Sequence, residues 1–277
     1  MDDNLSDQAC FVCSKGLMTP YFSKDFLGQQ GLGIVEYVRC GNCGMVVSKT
    51  HREMSIEEYE DLNLRYHSLF LGTPKNRDDP RWEARLNTQA ATIAKLAKSN
   101  ILLRELPWLD YGCGDGKLAN LLTECKLPTL KFDRYMFIEN KDNLTEADLA
   151  STKYSVVINT SVFEHVRSIV TLDEITGLIA ESGVLALHVL VRESIPQDPT
   201  WFYLLPIHCA FFTNMSMQIL FDRWRFDSSI YSVESRMWFW FKQNTDALST
   251  FKAIIEQEKE AGISEFHFKK GFMDYWK

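Results

Sequence analysis

Three glycines at alternate positions form the centre of the sequence, in the stretch WLDYGCGDGKLANLL from Trp108 to Leu122. The apolar residues before them are typical of a buried parallel strand, and those after them follow a helical pattern. Such a turn, here with Gly112, Gly114 and Gly116, lets the backbone approach a ligand without a Cβ in the way. It also directs unpaired amides of a helix N-terminus towards an anionic group. We therefore predict that a carboxylate- or phosphate-bearing ligand binds at this turn.

Two acids near the turn narrow the class of ligand. Dinucleotide-binding turns favour the spacing G-x-G-x-x-G, whereas this turn reads G-x-G-x-G with Asp110 just before it. Asp133, in LKFDRYM, lies 21 residues after Gly112, near the distance expected for the acid of a βαβ unit. We predict that Asp133 closes the second strand of such a unit.

Two pairs of cysteines near the N-terminus have metal-binding spacing. Cys10 and Cys13 form one C-x2-C pair, and Cys40 and Cys43 form another after 26 intervening residues. Four thiolates complete a tetrahedral Zn²⁺ site with no position left for a substrate. A disulfide pattern would require an oxidising compartment, which nothing else in the sequence indicates. The spacing therefore predicts a structural zinc ion.

The run DYGCGDGKLANLL strongly resembles the first motif of class I S-adenosylmethionine (SAM)-dependent methyltransferases. In that family the glycine turn receives the methionine part of SAM, and an acid at the end of the second strand binds the ribose hydroxyls. The resemblance therefore implies SAM contacts from Asp110, Asp133 and the three glycines. Zinc-bearing sugar methyltransferases often have a Tyr-rich segment that covers SAM, and Tyr66 and His67 resemble it. The alternative for Tyr66 is an aromatic anchor on a surface helix.

The stretch TSVFEHV, from Thr160 to Val166, resembles the fourth motif of the same family, a hydrophobic residue followed by Glu-His. Residues after the carboxyl ends of parallel strands line the ligand crevice. We therefore predict that Thr160 contacts SAM and that His165 lies beside the transfer site. For Glu164 a structural hydrogen-bonding role is favoured. His208 precedes two phenylalanines, where the family frequently carries a histidine at the substrate pocket.

Methyl transfer to oxygen requires a base, because a hydroxyl becomes a competent nucleophile only as its proton leaves. Histidine suits this step, since its pKa lies near neutral pH. We predict His208 as the first choice of base and His165 as the second, with a structural role in an aromatic cluster as the alternative for each. Trp201 and Tyr203, in the proline-rich loop 192–212, offer flat faces that can stack on a sugar or a base. They are the predicted substrate contacts.

The elements that must position these residues predict an α/β fold. We expect a Rossmann-like, seven-stranded class I methyltransferase sheet with helices on both faces, plus a small N-terminal zinc-ribbon-like module. The predicted parts are the zinc module (1–50), a helical connector or lid (51–80), the SAM-binding domain (81–245), and a C-terminal helix with an aromatic tail (246–277). Phe137 and Ile138 fit a brief third strand, and Glu139 or Asn140 is the candidate adenine contact. The tail is expected to pack on the body of the protein or on a second subunit of a homo-oligomer.

Composition limits the partners and the compartment. The chain has 277 residues and a formal net charge of −7. This acidity argues against RNA or DNA as the main partner, because phosphate binding requires clustered Lys and Arg. No apolar run approaches the ~18 residues of a membrane span. The acidic N-terminus lacks the apolar segment of a signal peptide, so we expect a cytoplasmic protein.

The zinc module and the glycine turn together resemble methyltransferases of sugar and surface-polysaccharide biosynthesis. The resemblance implies methyl transfer to a hydroxyl or amine of a nucleotide-linked sugar or a glycan. Sugar C-methyltransferases carry Glu-His where this chain has Ile207 before His208, and they are longer, which favours O- or N-methylation. One alternative is a methyltransferase of rRNA, tRNA or another macromolecule that carries a zinc module. Another is a SAM-binding scaffold without turnover, although the intact glycine turn and Asp133 argue against it.

Overall fold

The computed structural model describes residues 9–69, 81–136, 143–149, 151–243, 245–262 and 265–274. These ranges contain β-strands, α-helices and two short 3-10 helices, at Gln29–Gly31 and Phe163–His165. The strands are β1 (Met18–Asp25), β2 (Ile34–Cys40), β3 (Val46–Ser48), β4 (Trp108–Tyr111), β5 (Thr129–Phe132), β6 (Tyr154–Thr160), β7 (Ile179–His188), β8 (Val191–Arg192), β9 (Ala210–Thr213), β10 (Ser228–Ser232), β11 (Met237–Phe241) and β12 (Phe266–Lys270). The helices are α1 (Lys49–Glu53), α2 (Ile56–Ser68), α3 (Trp82–Lys98), α4 (Lys117–Glu124), α5 (Glu146–Leu149), α6 (Ile169–Gly177), α7 (Asn214–Arg223) and α8 (Asp246–Glu260).

The larger sheet confirms the predicted α/β class. Its seven described strands run in the order β12-β10-β11-β7-β6-β4-β5. Strands β5, β4, β6 and β7 are parallel, and β11, β10 and β12 continue the sheet in antiparallel pairing. Alternate residues of β6 enter different cores, with Val157 in one cluster and Val156 and Ile158 in another. Both faces of the sheet are therefore covered, as expected for parallel strands that are apolar throughout.

The edges of this sheet differ from the sequence prediction. The brief third strand at Phe137 and Ile138, and the adenine candidates Glu139 and Asn140, lie outside the described residues. The seventh described strand is instead β12, from the aromatic tail, which pairs antiparallel with β10. Phe272 is buried beyond it. The prediction that the tail packs on the body of the protein is thus confirmed for the part that the structure describes.

The smaller sheet joins the cysteine region to the rest of the chain. In the described residues its order is β1-β2-β3-β9-β8, so strands from both sides of loop 192–212 extend a sheet that begins in the N-terminal region. The Tyr21 hydroxyl donates to the carbonyl of Ile195 at 2.7 Å, and Lys24 Nζ donates to that of Leu204 at 2.7 Å. Because β9 and β8 complete this sheet, the cysteine region fixes the position of the loop that carries His208.

Helix α2 follows the cysteine region and precedes the strands of the larger sheet. Ser55 and Glu58 form the predicted capping box, with the Ser55 hydroxyl and the Glu58 carboxylate each accepting from the other residue's amide. The helix buries Tyr59, Leu62, Asn63 and Tyr66. Among the described residues, no helix combines the length and apolarity needed to cross a membrane.

Candidate active site

The glycine turn after β4 has left-handed backbone conformations. Gly112, Gly114 and Gly116 have φ values of 74°, 56° and 75°, which favour glycine. A Cβ on Gly112 would lie 2.4 Å from Cγ2 of Val162, so this backbone already touches the loop after β6. The turn therefore packs against the segment that carries the predicted His165.

Most amides of the turn already have acceptors within the protein. The amides of Gly112 and Cys113 donate to the carbonyl of Phe132 at 2.7 and 3.1 Å, and that of Gly114 donates to Asp133 Oδ2 at 2.8 Å. The amide of Gly116 donates to the carbonyl of Cys113 at 2.9 Å. These four amides are therefore used inside the protein, and an anion at the turn would have to bind the amides of the first helical turn after Gly116. The turn provides close backbone approach instead.

Asp133 lies directly after β5 and faces the turn. Its Oδ2 accepts from Gly114, and its Oδ1 accepts from the amides of Tyr135 and Met136, each at 2.8 Å. A carboxylate has about four acceptor sites, so these three bonds leave capacity for a ligand hydroxyl. The side chain holds the two loops at a fixed distance and contributes to the cleft between them.

Asp110 lies beneath the turn and is almost fully buried, with 1% exposure. Neither carboxylate oxygen has a hydrogen-bond partner within the described ranges. Burial raises the pKa of Asp110 to about 7, and the nearby Asp133 acts in the same direction. The side chain does not line the cleft, so the predicted SAM contact would be indirect, through the position of the turn.

The raised pKa of Asp110 predicts a pH-dependent stability. An unfolded aspartate has a pKa of about 4, so between about pH 4 and pH 7 the folded state holds a proton that the unfolded state has lost. The contribution of this group to stability is therefore full at acid pH and is lost as pH rises towards the folded pKa, by roughly 4 kcal/mol in total. Denaturant unfolding of Asp110→Asn should match the wild type near pH 4 and exceed it by that amount at pH 7.5. A difference that is constant with pH would contradict the assigned pKa.

A cleft of about 500 Å³ opens beside the glycine turn. It is lined from four segments, residues 52–67, 111–114, 133–135 and 161–171. The turn, Asp133, α2 and the loop after β6 all contribute to its wall. This volume lies within the range of small-molecule sites, and the cleft lies at the carboxyl ends of β4, β5 and β6, where ligands bind in open α/β sheets.

The structure brings some of the predicted residues to this cleft and places others behind it. Gly112, Gly114, Asp133 and His165 line its wall. The other predicted residues are outside its lining: Asp110, Gly116, Thr160, Tyr66, Trp201, Tyr203 and His208. For Tyr66 and Thr160, the neighbouring residues in the chain, His67 and Ser161, form the surface instead.

His165 and His208 meet at the inner end of the cleft, although they come from different loops. Their rings lie 4.9 Å apart in an edge-to-face arrangement. The amide of Cys209 donates to the carbonyl of Glu164 at 2.8 Å, and the Tyr59 hydroxyl donates to that of His165 at 2.7 Å. These bonds hold the loop after β6 against loop 192–212. The cluster is thus positioned by two backbone segments and by α2.

Tyr203 orients the other members of this cluster. Its hydroxyl donates to Glu164 Oε1 at 2.7 Å and accepts from the amide of Leu190 at 3.3 Å. Its carbonyl accepts from His208 Nδ1 at 2.8 Å. Because a carbonyl can only accept, Nδ1 of His208 carries the hydrogen and Nε2 presents a lone pair. Tyr203 is therefore a positioning residue rather than part of the cleft surface.

Burial sets the charge of these groups. Burial lowers the pKa of His208 to about 3. Burial also lowers the pKa of His165 well below its usual value, and the neighbouring His208 lowers it further. Burial raises the pKa of Glu164 to about 7, against the effect of its hydrogen bond from Tyr203. Both imidazoles are consequently neutral near pH 7 and carry lone pairs.

Trp201 has a packing role in the structure. It is 8% exposed, and its ring lies 5.4 Å from that of Phe211 and 5.5 Å from that of Tyr203. The exposed aromatic side chain of this loop is Phe202. The stacking surface predicted for Trp201 and Tyr203 is thus turned inwards, because three aromatic rings and the smaller sheet cover it.

Several cleft residues were not predicted. Arg52 and Arg134 line it, and Arg134 pairs with Glu146 at 3.1 Å. Arg167 also lines it, but its guanidinium donates to the carbonyls of His51 and Met54 at 3.0 and 2.8 Å. The adjacency of Arg134 to Asp133 and of Arg167 to the Glu-His motif was a usable signal. No signal in the sequence pointed to Arg52, because only the folded structure brings α1 to the cleft.

The four N-terminal cysteines are gathered around one point. Their ligand atoms all lie within 4.8 Å of one another, and the Sγ pairs Cys10–Cys43 and Cys13–Cys40 are 3.7 and 3.5 Å apart. Sulfur atoms around one tetrahedral Zn²⁺ lie roughly 3.8 Å apart. A Cβ on Gly16 would lie 2.2 Å from Cys40 Sγ, so the loop is shaped closely around the thiols. The donor set and its spacing fit a structural zinc ion.

Comparisons with known proteins agree with this geometry. A family profile described as a methyltransferase domain matches residues 80–227. A search of curated protein sequences finds no match. The chain belongs to the methyltransferase domain family. It is a SAM-dependent methyltransferase, as the first motif predicted.

Three solved structures have partial similarity to this chain. Magnesium protoporphyrin IX methyltransferase from Synechocystis PCC 6803, with bound S-adenosylhomocysteine (SAH), is 15% identical and has a TM-score of 0.44 over 65% of this chain and 93% of that chain. A SAM-dependent methyltransferase from Archaeoglobus fulgidus is 18% identical, with a TM-score of 0.41 over 76% and 99%. The plantazolicin methyltransferase BpumL, in complex with SAH, is 13% identical, with a TM-score of 0.42 over 78% and 98%.

Proposed function

We propose that this methyltransferase transfers a methyl group from SAM to a hydroxyl or amine of a sugar, in a nucleotide-linked sugar or a glycan of polysaccharide biosynthesis. The observation that carries the proposal is the cleft itself, which joins the glycine turn and Asp133 to the histidines His165 and His208. A cleft of about 500 Å³ suits a small acceptor beside the cofactor. Arg52 and Arg134 on its wall favour an acceptor with a negative charge, such as a sugar diphosphate.

The residues present fit SAM. Gly112 and Gly114 line the cleft with backbone atoms, and Asp133 presents a carboxylate beside them that could accept from ribose hydroxyls. When bound, SAM supplies a methyl group activated by its sulfonium. The protein binds the cofactor along the turn, and the α2 side holds the acceptor in line with the methyl carbon, which is the main source of catalysis for such a displacement.

The histidine pair would receive the proton of the acceptor. His165 lines the cleft and His208 lies directly behind it, so this order replaces the sequence-based preference for His208. Both rings are neutral in the folded protein and have a lone pair, but burial lowers the pKa of His208 to about 3, so the pair would act as a weak base. Tyr203 and the carbonyl contacts keep the pair in place.

We also propose that the four cysteines hold a structural zinc ion and that the enzyme works in the cytoplasm, where thiols stay reduced. The zinc would stabilise the smaller sheet, and through β9 and β8 it would hold loop 192–212. Its role in catalysis is therefore the placement of His208 and Tyr203.

Loss of this zinc should loosen the loop as well as the cysteine region. We expect an organomercurial to release one thiolate-bound zinc per chain, and Cys43→Ser to lack it. Structural zinc contributes on the order of 10 kcal/mol of apparent binding energy to small modules, so Cys43→Ser should lose amide-exchange protection in β1–β3 and in loop 192–212. Cys125→Ser, at an exposed cysteine, is the matched control. Unchanged protection in Cys43→Ser would contradict a structural zinc.

The acceptor class can be tested with methyl-labelled SAM. Purified enzyme should transfer label to one or more members of a panel of nucleotide sugars and extracted glycans, with the gain of one methyl group seen by mass spectrometry. Bulk RNA, included in parallel, should stay unlabelled because the protein is acidic. If RNA is labelled and the sugars are not, the proposed acceptor is wrong and the substrate is a macromolecule. SAM binding without transfer to any acceptor class would favour the scaffold alternative.

A further inference from the structure

The cluster at the inner end of the cleft has the composition of a metal site. One ligand atom from each of Glu164, His165 and His208 lies within 4.8 Å of the other two. Glu164 is 1% exposed and His208 is 6% exposed. Two imidazoles and one carboxylate form a three-ligand set that binds divalent transition metals and leaves coordination positions open.

The unused atoms of these side chains support this interpretation. Glu164 Oε2 and His165 Nδ1 are buried and have no hydrogen-bond partner in the part of the chain that the structure describes. Buried polar atoms are nearly always partnered, so two orphaned acceptors in one cluster require an explanation. An ion bound by both atoms provides it.

Hydrogen bonds to Tyr203 orient two of the candidate metal ligands. His208 Nδ1 is bonded to the Tyr203 carbonyl, which leaves Nε2 for an ion, and Glu164 Oε1 is bonded to the Tyr203 hydroxyl, which leaves Oε2. Outer hydrogen bonds of this kind fix the ring orientation and tautomer of metal-binding histidines. Ligand atoms bound to one ion at about 2.1 Å lie roughly 3.4 Å from one another. Side-chain rotations that move these ligand atoms by about an ångström would therefore bring them to metal-binding distances.

Neighbouring histidines are distinguished from the ligands by their contacts. Both ring nitrogens of His51 are bonded, Nδ1 to the Ser48 hydroxyl at 2.6 Å and Nε2 to the Pro206 carbonyl at 2.8 Å. His67 lines the cleft, with its ring 5.7 Å from that of His165. Among the described residues, the group whose ligand atoms lie within 4.8 Å of one another consists of Glu164, His165 and His208, without His67.

We propose that Glu164, His165 and His208 bind one divalent transition-metal ion, of the Zn²⁺ or Fe²⁺ type, at the inner end of the SAM cleft. Two imidazole ligands disfavour Mg²⁺, which prefers oxygen. Because His165 lines the cleft, the open coordination positions face it and can take an oxygen of the methyl acceptor. This inference rests on the proposed function and changes the role of its two histidines. They would serve as ligands, and the ion would lower the pKa of the bound hydroxyl so that its proton leaves to water in the cleft. It also favours a hydroxyl over an amine as acceptor.

Cobalt(II) binding separates this site from the cysteine site. Zinc-loaded protein is treated with a weak chelator that leaves the thiolate-bound zinc in place, and Co²⁺ is then titrated. We expect one Co²⁺ per chain with weak visible absorption and without the intense thiolate-to-metal band. Loss of one of three ligands should weaken Co²⁺ binding by about 100-fold, so His208→Ala and Glu164→Gln should both lose it. His267→Asn, on β12, is the matched control and should keep it.

The same samples are titrated with SAH, which tests the proposed function separately. SAH binding by the wild type and by Glu164→Gln would show that the cleft is intact. If SAH binds but Co²⁺ fails to bind outside the thiolates, or binds His208→Ala as tightly as the wild type, the metal site is wrong while the methyltransferase proposal stands. If SAH also fails to bind the wild type, the assignment of the cleft is wrong as well.

Discussion

Replacing Gly112 with alanine is expected to weaken SAM binding by about 100-fold or more. The left-handed φ of 74° costs a side chain roughly 1–2 kcal/mol, and the new Cβ would lie 2.4 Å from Cγ2 of Val162. The turn or the loop after β6 must then move, and both form the cleft. Calorimetric titration of Gly112→Ala with SAM and SAH measures the effect.

Two further variants show whether the cause is local. Gly177→Ala, where an added Cβ would meet no described atom within 4 Å, should bind SAM as the wild type does. Adding Val162→Ala to Gly112→Ala removes the clashing methyl groups and should restore part of the affinity, leaving only the cost of φ. A double variant no better than the single one would show that the contact with Val162 is not what shapes the cleft. If Gly112→Ala binds SAM as tightly as the wild type does, the turn is not part of the cofactor site.

Substitution of Asp133 is the second change with a large expected effect. Its carboxylate accepts from Gly114, Tyr135 and Met136, so Asp133→Ala loses both the clamp on the turn and the proposed ribose acceptor. Hydrogen bonds to a charged group contribute about 1.5–3 kcal/mol each, so we expect SAM affinity to fall by about 100-fold. Asp133→Asn, which keeps one acceptor oxygen, should fall between the wild type and Asp133→Ala.

A cofactor analogue separates the two roles of Asp133. An SAH analogue without ribose hydroxyls should bind the wild type much more weakly than SAH does. In Asp133→Ala the two ligands should bind almost equally, since the acceptor of those hydroxyls is gone. If the analogue loses the same factor in both proteins, Asp133 shapes the turn but does not contact the ribose.

The sequence predicted the features that depend on local pattern. Strand β4, the turn and α4 follow from a short apolar run, three glycines and a helical repeat. The capping box of Ser55 and Glu58 and the position of Asp133 at the end of β5 also follow from spacing. The four cysteines meet because each pair is a compact local turn.

Features that depend on long-range packing were missed. Nothing in the sequence indicates that β12 extends the larger sheet or that β9 and β8 extend the smaller one. The inward orientation of Trp201 and the burial of Asp110 depend on residues far away in the chain. His165 and His208 could each be proposed from a motif, but their contact with Glu164 and Tyr203 arises only when the two loops meet.

Amide hydrogen exchange with and without SAH tests the central claim most directly, that SAM binds in the cleft lined by the glycine turn, Asp133 and the loop after β6. We predict stoichiometric binding, with new protection concentrated in residues 111–117, 133–136 and 161–168. Stoichiometric binding with protection elsewhere, or folded wild-type protein that fails to bind SAH, would contradict the account.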